Sequence, residues 1–423
     1  MKVFKSPASV NFEITHECNA KCKFCSIRSR EHQKFAKLED LIFLVDAFKK
    51  NNVMRINFFG GEPFIYPQIV PLMKHAKDQG FFVSAITNGL NLDEELCLKI
   101  KDYVDVVGVS LHGDRETHEN LIGIPGSYDS TIAAIASLEK YNIPTGINMT
   151  VTGDNYKQIT QVAKIKDEID VQFIALNRFI PEPSTNLADN KIQALSSTQL
   201  EETLRDVKCL KEKYPKVSIG YSIHFPFCVI KDSSLHEYIG KGCGFGASYC
   251  AIDYAGNMKM CSYSDAILGN LFCEDMAEIW RSNSLLNEFR CECWMPEKCQ
   301  KCEHRVTCCG GCKITRKKAF APDIMLDWRL DNAKIYKLHV NKTITQEDEN
   351  EFLVMSNRGL ILKLNRIGKE ILELCKGSGK TKSEICQELT QKYSSASQAA
   401  IDSDVSKFLA QIEKCDMFEG EAI

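Results

Sequence analysis

The chain has 423 residues, 44% of them hydrophobic and 26% charged, with a formal net charge of -3. That length exceeds one ordinary core, so two or three domains are expected, one of them large enough for an α/β barrel. The charge balance gives no electrostatic reason to expect nucleic acid or an anionic membrane, and no apolar run suits a bilayer span or a signal peptide.

The chain therefore reads as cytoplasmic, where its twenty cysteines are expected to bind metal or do redox chemistry rather than form structural disulfides.

Six short apolar runs follow one another: "SVNFEIT", "MRINFFG", "FFVSAIT", "VDVVGVS", "TGINMTV" and "VQFIALN". Longer stretches with helical spacing and polar faces separate them. Strand-helix alternation with nearly continuous apolar strands predicts a parallel sheet, open or curled into a partial barrel, over residues 8–235. The first strand leads into "HECNAKCKFC", a Cys-x3-Cys-x2-Cys array of Cys18, Cys22 and Cys25. The second leads into "GGEP", the third into "TNG" and the fourth into "SLHG". Ligand sites form at the carboxyl ends of parallel strands, so these four loops are expected on one face.

Three thiolates can hold three irons of a cubane cluster and leave the fourth iron open to a small chelating ligand. A zinc site is the alternative, although structural zinc wants four closed ligands. Asn88-Gly89 also reads as a common turn, Ser110 as a strand end, and His112 as a satisfied polar residue.

The polar segment "PEPSTNLADN" reads as a loop. Eleven cysteines then fall between Cys243 and Cys312, which marks residues 236–330 as a metal-rich module. "CGFGASYCAIDYAGNMKMC" supplies Cys243, Cys250 and Cys261. "CQKCEHRVTCCGGC" supplies Cys299, Cys302, Cys308 and Cys312, with Cys309 beside them. Cys228 in "HFPFC" reads as a packing residue.

Residues 334–423 form a third, α+β unit. "ILKLNRIGKEILELCKG" predicts a strand running into a helix closed by Gly377, and Thr381 with Glu384 a capping box opening another. Val405, Phe408, Leu409 and Ile412 give a third helix its apolar stripe. With 13 Lys and Arg against 14 Asp and Glu, the unit lacks the basic face of a DNA reader.

The cysteine spacing, with Phe24 just before Cys25, resembles the radical S-adenosylmethionine (radical SAM) family, and "GGEP" resembles that family's motif for the SAM amino group. The resemblance implies a partial (βα)6 TIM-like barrel. It implies that Cys18, Cys22 and Cys25 bind a 4Fe–4S cluster whose open iron is chelated by SAM. Gly60, Gly61, Glu62 and Pro63 would line the SAM methionine, Glu62 accepting from its ammonium. Phe24 would lie near the adenine, and Ser110 and Asn148 would contact the ribose.

The second segment resembles the SPASM extension of radical SAM peptide-modifying enzymes, which implies one or two auxiliary iron–sulfur clusters. Cys243, Cys250, Cys261 and Cys312 would bind the first, and Cys299, Cys302 and Cys308 would start the second. The family's usual final cysteine is missing here. Asp323, Asp327, Cys309, Cys291 or Cys293 could replace it, or the iron could be open.

The last segment resembles the PqqD-like domain, a small winged-helix module that binds leader peptides. Together the resemblances imply hydrogen abstraction from a ribosomally made precursor peptide, with a flavodoxin or ferredoxin as electron donor and neither nucleic acid nor membrane as partner. Alternatives are a radical SAM enzyme for another protein or a small molecule, and a cysteine-rich metal-binding scaffold without turnover. No residue of the sequence stands out as hydrogen donor or general base.

Overall fold

The computed structural model describes residues 3–27, 35–181, 192–240, 244–314, 323, 325, 335–338, 344–348, 350–355, 361–377, 379–393, 396, 398–413, 415, 417 and 418. Cys243, Asp327, nearly all of "PEPSTNLADN" and the side chain of Thr381 lie outside them. Two compact units divide the chain, Met1–Asp323 and Ile324–Ile423.

In the first unit the six predicted strands form, as β1 (Ser9–Thr15), β2 (Arg55–Gly60), β3 (Phe82–Thr87), β4 (Val106–Ser110), β5 (Thr145–Val151) and β6 (Phe173–Arg178), followed by β7 (Ser218–Tyr221). They pair in chain order, all in parallel. All their carboxyl ends therefore lie along one edge.

Alternation assigns the two faces. Val10, Phe12 and Ile14 of β1 are fully buried, and the Phe12 ring meets Phe48 of helix Leu38–Lys50 edge-on at 5.2 Å. The other face of β1 to β3 carries a polar ladder. Asn57 Nδ2 donates to Asn11 Oδ1 at 3.2 Å and Ser84 Oγ to Asn57 Oδ1 at 3.0 Å. Strand register carries this inner face on to Ser110 and Asn148, which sit opposite each other in β4 and β5.

The cysteine-rich segment extends the same sheet. Strand β8 (Tyr249–Asp253) runs parallel to β1 on its open side, and β9 (Asn257–Lys259) and β10 (Ile267–Asn270) add antiparallel strands beyond it. A buried ion pair closes this junction: Lys259 Nζ lies 2.6 Å from Glu13 Oε2, with side-chain exposures of 4% and 0%. His16 Nε2 is 3.4 Å from the same oxygen. Among the described residues no helix is long and apolar enough to cross a membrane.

The second unit has a three-stranded antiparallel sheet of Ile344–Asp348, Glu351–Met355 and Ile361–Asn365, with the last strand at one edge. Helix Arg366–Leu374 starts under an Asn365 cap, the side-chain oxygen accepting from Gly368 N at 2.8 Å. Val405, Leu409 and Ile412 of helix Gln398–Glu413 are buried in a core with Phe352, Val354, Leu364, Ile371 and Leu372, and Phe408 packs against it.

Candidate functional site

Cys18, Cys22 and Cys25 lie on the loop that leaves β1. Backbone bonds dock this loop on helix Arg115–Ile122, Lys21 N donating to Ile122 O at 3.0 Å and Lys23 N to Leu121 O at 2.9 Å. Cys18 is exposed, and Cys22 and Cys25 are half-buried. Burial first, then the nearby charges of Glu62 and Cys25, push the Cys18 thiol up to about 11. Burial and then Cys25 and Cys18 push Cys22 well above the ordinary thiol range. The three thiols thus sit within one another's electrostatic reach. Such a group becomes stable as thiolates when a cationic metal centre neutralises it. Among the described residues no three His, Cys, Asp or Glu side chains converge on one metal ion, whereas a cubane spreads its ligands over separate irons. The donor set fits a cluster.

The GGEP loop crosses this loop at backbone contact. Gly61 N donates to Thr15 O at 2.8 Å and Glu62 N to Glu17 O at 2.9 Å. A Cβ at Gly60, where φ is +132°, would stand 2.2 Å from Thr15 O, and one at Gly61 2.0 Å from Glu17 O. The close approach these glycines permit here is to the chain's own β1 loop.

Glu62 is 1% exposed. Its Oε1 accepts from Phe64 N at 3.0 Å and Thr87 Oγ1 at 2.8 Å, and its Oε2 from Asn88 N at 2.7 Å. Burial outweighs these three donors and raises its pKa from 4.5 to about 7. Pro63 opens the short 3-10 turn that Glu62 caps.

Asn88 completes the junction. Its Nδ2 donates to Asn19 Oδ1 at 2.7 Å and points to Cys18 Sγ at 3.8 Å. The dipeptide Asn88-Gly89 is therefore more than a turn: it ties three strand-end loops together.

Phe24 leaves the loop toward "SLHG", its ring edge-on to His112 at 4.8 Å. His112 is buried; its Nδ1 accepts from Thr150 N at 3.1 Å, and its ring stacks on His118 at 5.6 Å. Burial, then His118, holds His112 well below the usual imidazole range, so it is a neutral, satisfied packing residue. Ser110 is half-buried and Asn148 buried on the inner face of the sheet.

In the cysteine-rich segment, Tyr263 N donates to Cys261 Sγ at 3.4 Å. Burial, then Cys261, Cys312 and Cys25, push the Tyr263 hydroxyl up. Cys250 is fully buried in β8 opposite Val10. Asp323 is fully buried and gripped by Arg178, whose two terminal nitrogens donate to its two oxygens at 2.7 and 3.0 Å, while Cys312 N donates to Asp323 Oδ2 at 2.6 Å. This charge, committed to a buried guanidinium, argues against Asp323 among the alternatives for the missing iron ligand.

Cys299 and Cys308 fall on two short helical turns, Glu297–Gln300 and Arg305–Cys308, and Cys302 lies on the link between them. Burial, then Cys228, Cys308 and Cys302, push the Cys299 thiol up to about 11. Cys228 is exposed rather than packed. Sequence reading missed its placement because it lies outside the cysteine-rich run.

Residues 12–165 match the model of the radical SAM superfamily. Over those residues the chain carries a radical SAM domain. Residues 243–303 match the SPASM iron–sulfur cluster-binding domain, and residues 351–417 match coenzyme PQQ synthesis protein D (PqqD). The chain is 27% identical to an AdoMet-dependent heme synthase of Nitratidesulfovibrio vulgaris, over 72% of its length and 86% of the relative's. It is 26% identical to a PqqA peptide cyclase of Gluconobacter oxydans, over 73% and 86%. Its fold is similar to that of Streptococcus suis SuiB bound to precursor peptide SuiA, with a TM-score of 0.63 at 19% identity over 76% and 75% of the two chains. It also resembles anSMEcpe with bound AdoMet and the Kp18Cys peptide, with a TM-score of 0.60 at 19% identity over 76% and 94%.

Proposed function

We propose that this chain is a cytoplasmic peptide maturase that cleaves SAM reductively and abstracts hydrogen from a ribosomally made precursor peptide. The observation that carries the reading is a PqqD match on the same chain as the radical SAM and SPASM matches. A PqqA peptide cyclase and the peptide-bound SuiB and anSMEcpe structures support it.

Cys18, Cys22 and Cys25 would hold the 4Fe–4S cluster. When bound there and reduced, the cluster would supply the one electron that splits SAM into methionine and a 5′-deoxyadenosyl radical. The chain's own residues do the positioning. Gly60 and Gly61 let the β2 loop pack on the β1 loop, and buried Glu62 fixes both against Asn88. That rigidity holds the thiols in place. Ser110, Asn148 and Phe24 are the candidate contacts for the nucleoside. Cys243, Cys250, Cys261 and Cys312 are assigned to the first auxiliary cluster. The C-terminal unit captures the leader by strand addition at a sheet edge, which raises the local concentration of the residue to be modified. A flavodoxin or ferredoxin would supply the electron.

The heme synthase relatives favour a second reading, in which a small molecule is the substrate. Anaerobic incubation with SAM, a strong reductant and candidate precursor peptides separates the two. A mass change that requires the leader supports the first; turnover of a small molecule with no change in any leader-bearing peptide rejects it.

A further inference from the structure

Three thiols, Cys299, Cys302 and Cys308, leave one iron of a second auxiliary cluster without a protein ligand. Most candidates for that position are engaged elsewhere. Asp323 pairs with Arg178. The Cys293 thiol turns to Cys291 O at 3.6 Å, and among the described residues no contact docks Cys291 on the Cys299–Cys308 array. The Cys309 thiol turns back to Val306 O at 3.3 Å.

Cys228 lies elsewhere in the sequence, on the 3-10 turn Phe227–Val229 that follows β7. Two contacts dock this turn on the cysteine array. Phe227 N donates to Cys308 Sγ at 3.4 Å, and the Phe227 ring meets His304, between Cys302 and Cys308, at 5.4 Å. Cys228, next in the chain, is thereby carried to the same place.

We propose that Cys228 is the fourth protein ligand of the cluster held by Cys299, Cys302 and Cys308. The inference rests on the reading of this segment as an auxiliary iron–sulfur domain. Ligation replaces the S–H bond of Cys228 with an S–Fe bond and releases the proton to solvent, which the exposed side chain permits. A cluster closed by four thiolates has no corner for substrate, so its role is electron transfer. The Phe227 N–H···S bond is one of the contacts that set its potential.

The test uses the full chain, reconstituted anaerobically, with Cys18, Cys22 and Cys25 replaced by Ala so that only auxiliary iron remains. Iron, sulfide and electron paramagnetic resonance are measured with and without Cys228→Ala. The expected result is loss of the second auxiliary signal, or its conversion to a three-iron signal; Cys309→Ala leaves it intact. An unchanged spectrum and iron content in Cys228→Ala overturns the assignment, as does loss of the signal in Cys309→Ala. A parent protein holding zinc or no iron overturns the auxiliary-cluster reading itself, so the two failures are distinct.

A second measurement needs no variant of Cys228. In the loaded wild-type protein, alkylation of Cys228 is expected to be at least tenfold slower than that of exposed Cys273, with the protection lost once iron is chelated. Equal rates in the loaded protein overturn the proposal.

Discussion

Glu62 Oε2 accepts a hydrogen bond from the backbone N–H of Asn88 at 2.7 Å, and the Asn88 side chain reaches back to Asn19 and Cys18. One buried carboxylate thus sets the distance between the loops of β1, β2 and β3. Replacing it with Gln puts an amide N–H against backbone donors. The expected cost is about 1–3 kcal/mol for the disrupted buried bonds, read as a lower urea midpoint at unchanged slope.

The same carboxylate makes stability depend on pH in a defined direction. Its folded pKa of about 7 lies above 4.5, so the folded state holds the proton more tightly than the unfolded one. Stability is greatest below the unfolded value and declines as pH rises through the folded one. The advantage of wild type over Glu62→Gln is expected to shrink between pH about 5 and about 8. Denaturation of both proteins across that range checks it.

Gly61→Ala tests backbone crossing by sterics alone, because Gly61 is not in a left-handed conformation. The added Cβ would stand 2.0 Å from Glu17 O, closer than any real contact. We expect a loss of about 1–3 kcal/mol or more, together with loss of the N-terminal cluster's iron while auxiliary iron is retained.

Arg178 and Asp323 are 3% and 0% exposed and paired at 2.7 Å. Asp323→Asn leaves a buried guanidinium without its counter-charge and is expected to cost about 3–5 kcal/mol, while replacing both by apolar residues recovers much of that. Iron content is expected to stay the same, since the carboxylate is taken up by the guanidinium.

Much of the barrel was legible in the sequence because each of β1 to β6 is a nearly continuous apolar run. β7, "SIGY", escaped notice because four residues with a glycine carry too little pattern. β8 was hidden in another way: Cys250 sits inside the strand Tyr249–Asp253, and a thiol in a cysteine-rich stretch draws the eye to metal before sheet. The loops bearing Cys18 and Gly60 were legible through residue type and spacing. The Asn88 hub and the docking of Phe227 on Cys308 were not, since both depend on contacts between segments distant in sequence.

In the C-terminal unit, Met355 and Ile361 are register partners on neighbouring strands, 56% and 68% exposed. They form an apolar pair at the edge strand Ile361–Asn365, which we take as the edge for strand addition. Ile361→Asp is expected to weaken binding of a labelled leader peptide about tenfold or more, as loss of an apolar anchor does, without changing SAM cleavage in the absence of peptide. Fluorescence anisotropy and product chromatography read the two effects.

The most direct measurement follows one hydrogen. A precursor peptide carrying deuterium is incubated anaerobically with the reconstituted enzyme, SAM and reductant, and the 5′-deoxyadenosine formed is weighed. Deuterium in the nucleoside, together with a lighter or crosslinked peptide and with neither product from Cys22→Ala, is the predicted result. Nucleoside that never gains deuterium from any position of a bound, leader-bearing peptide would contradict hydrogen abstraction from peptide.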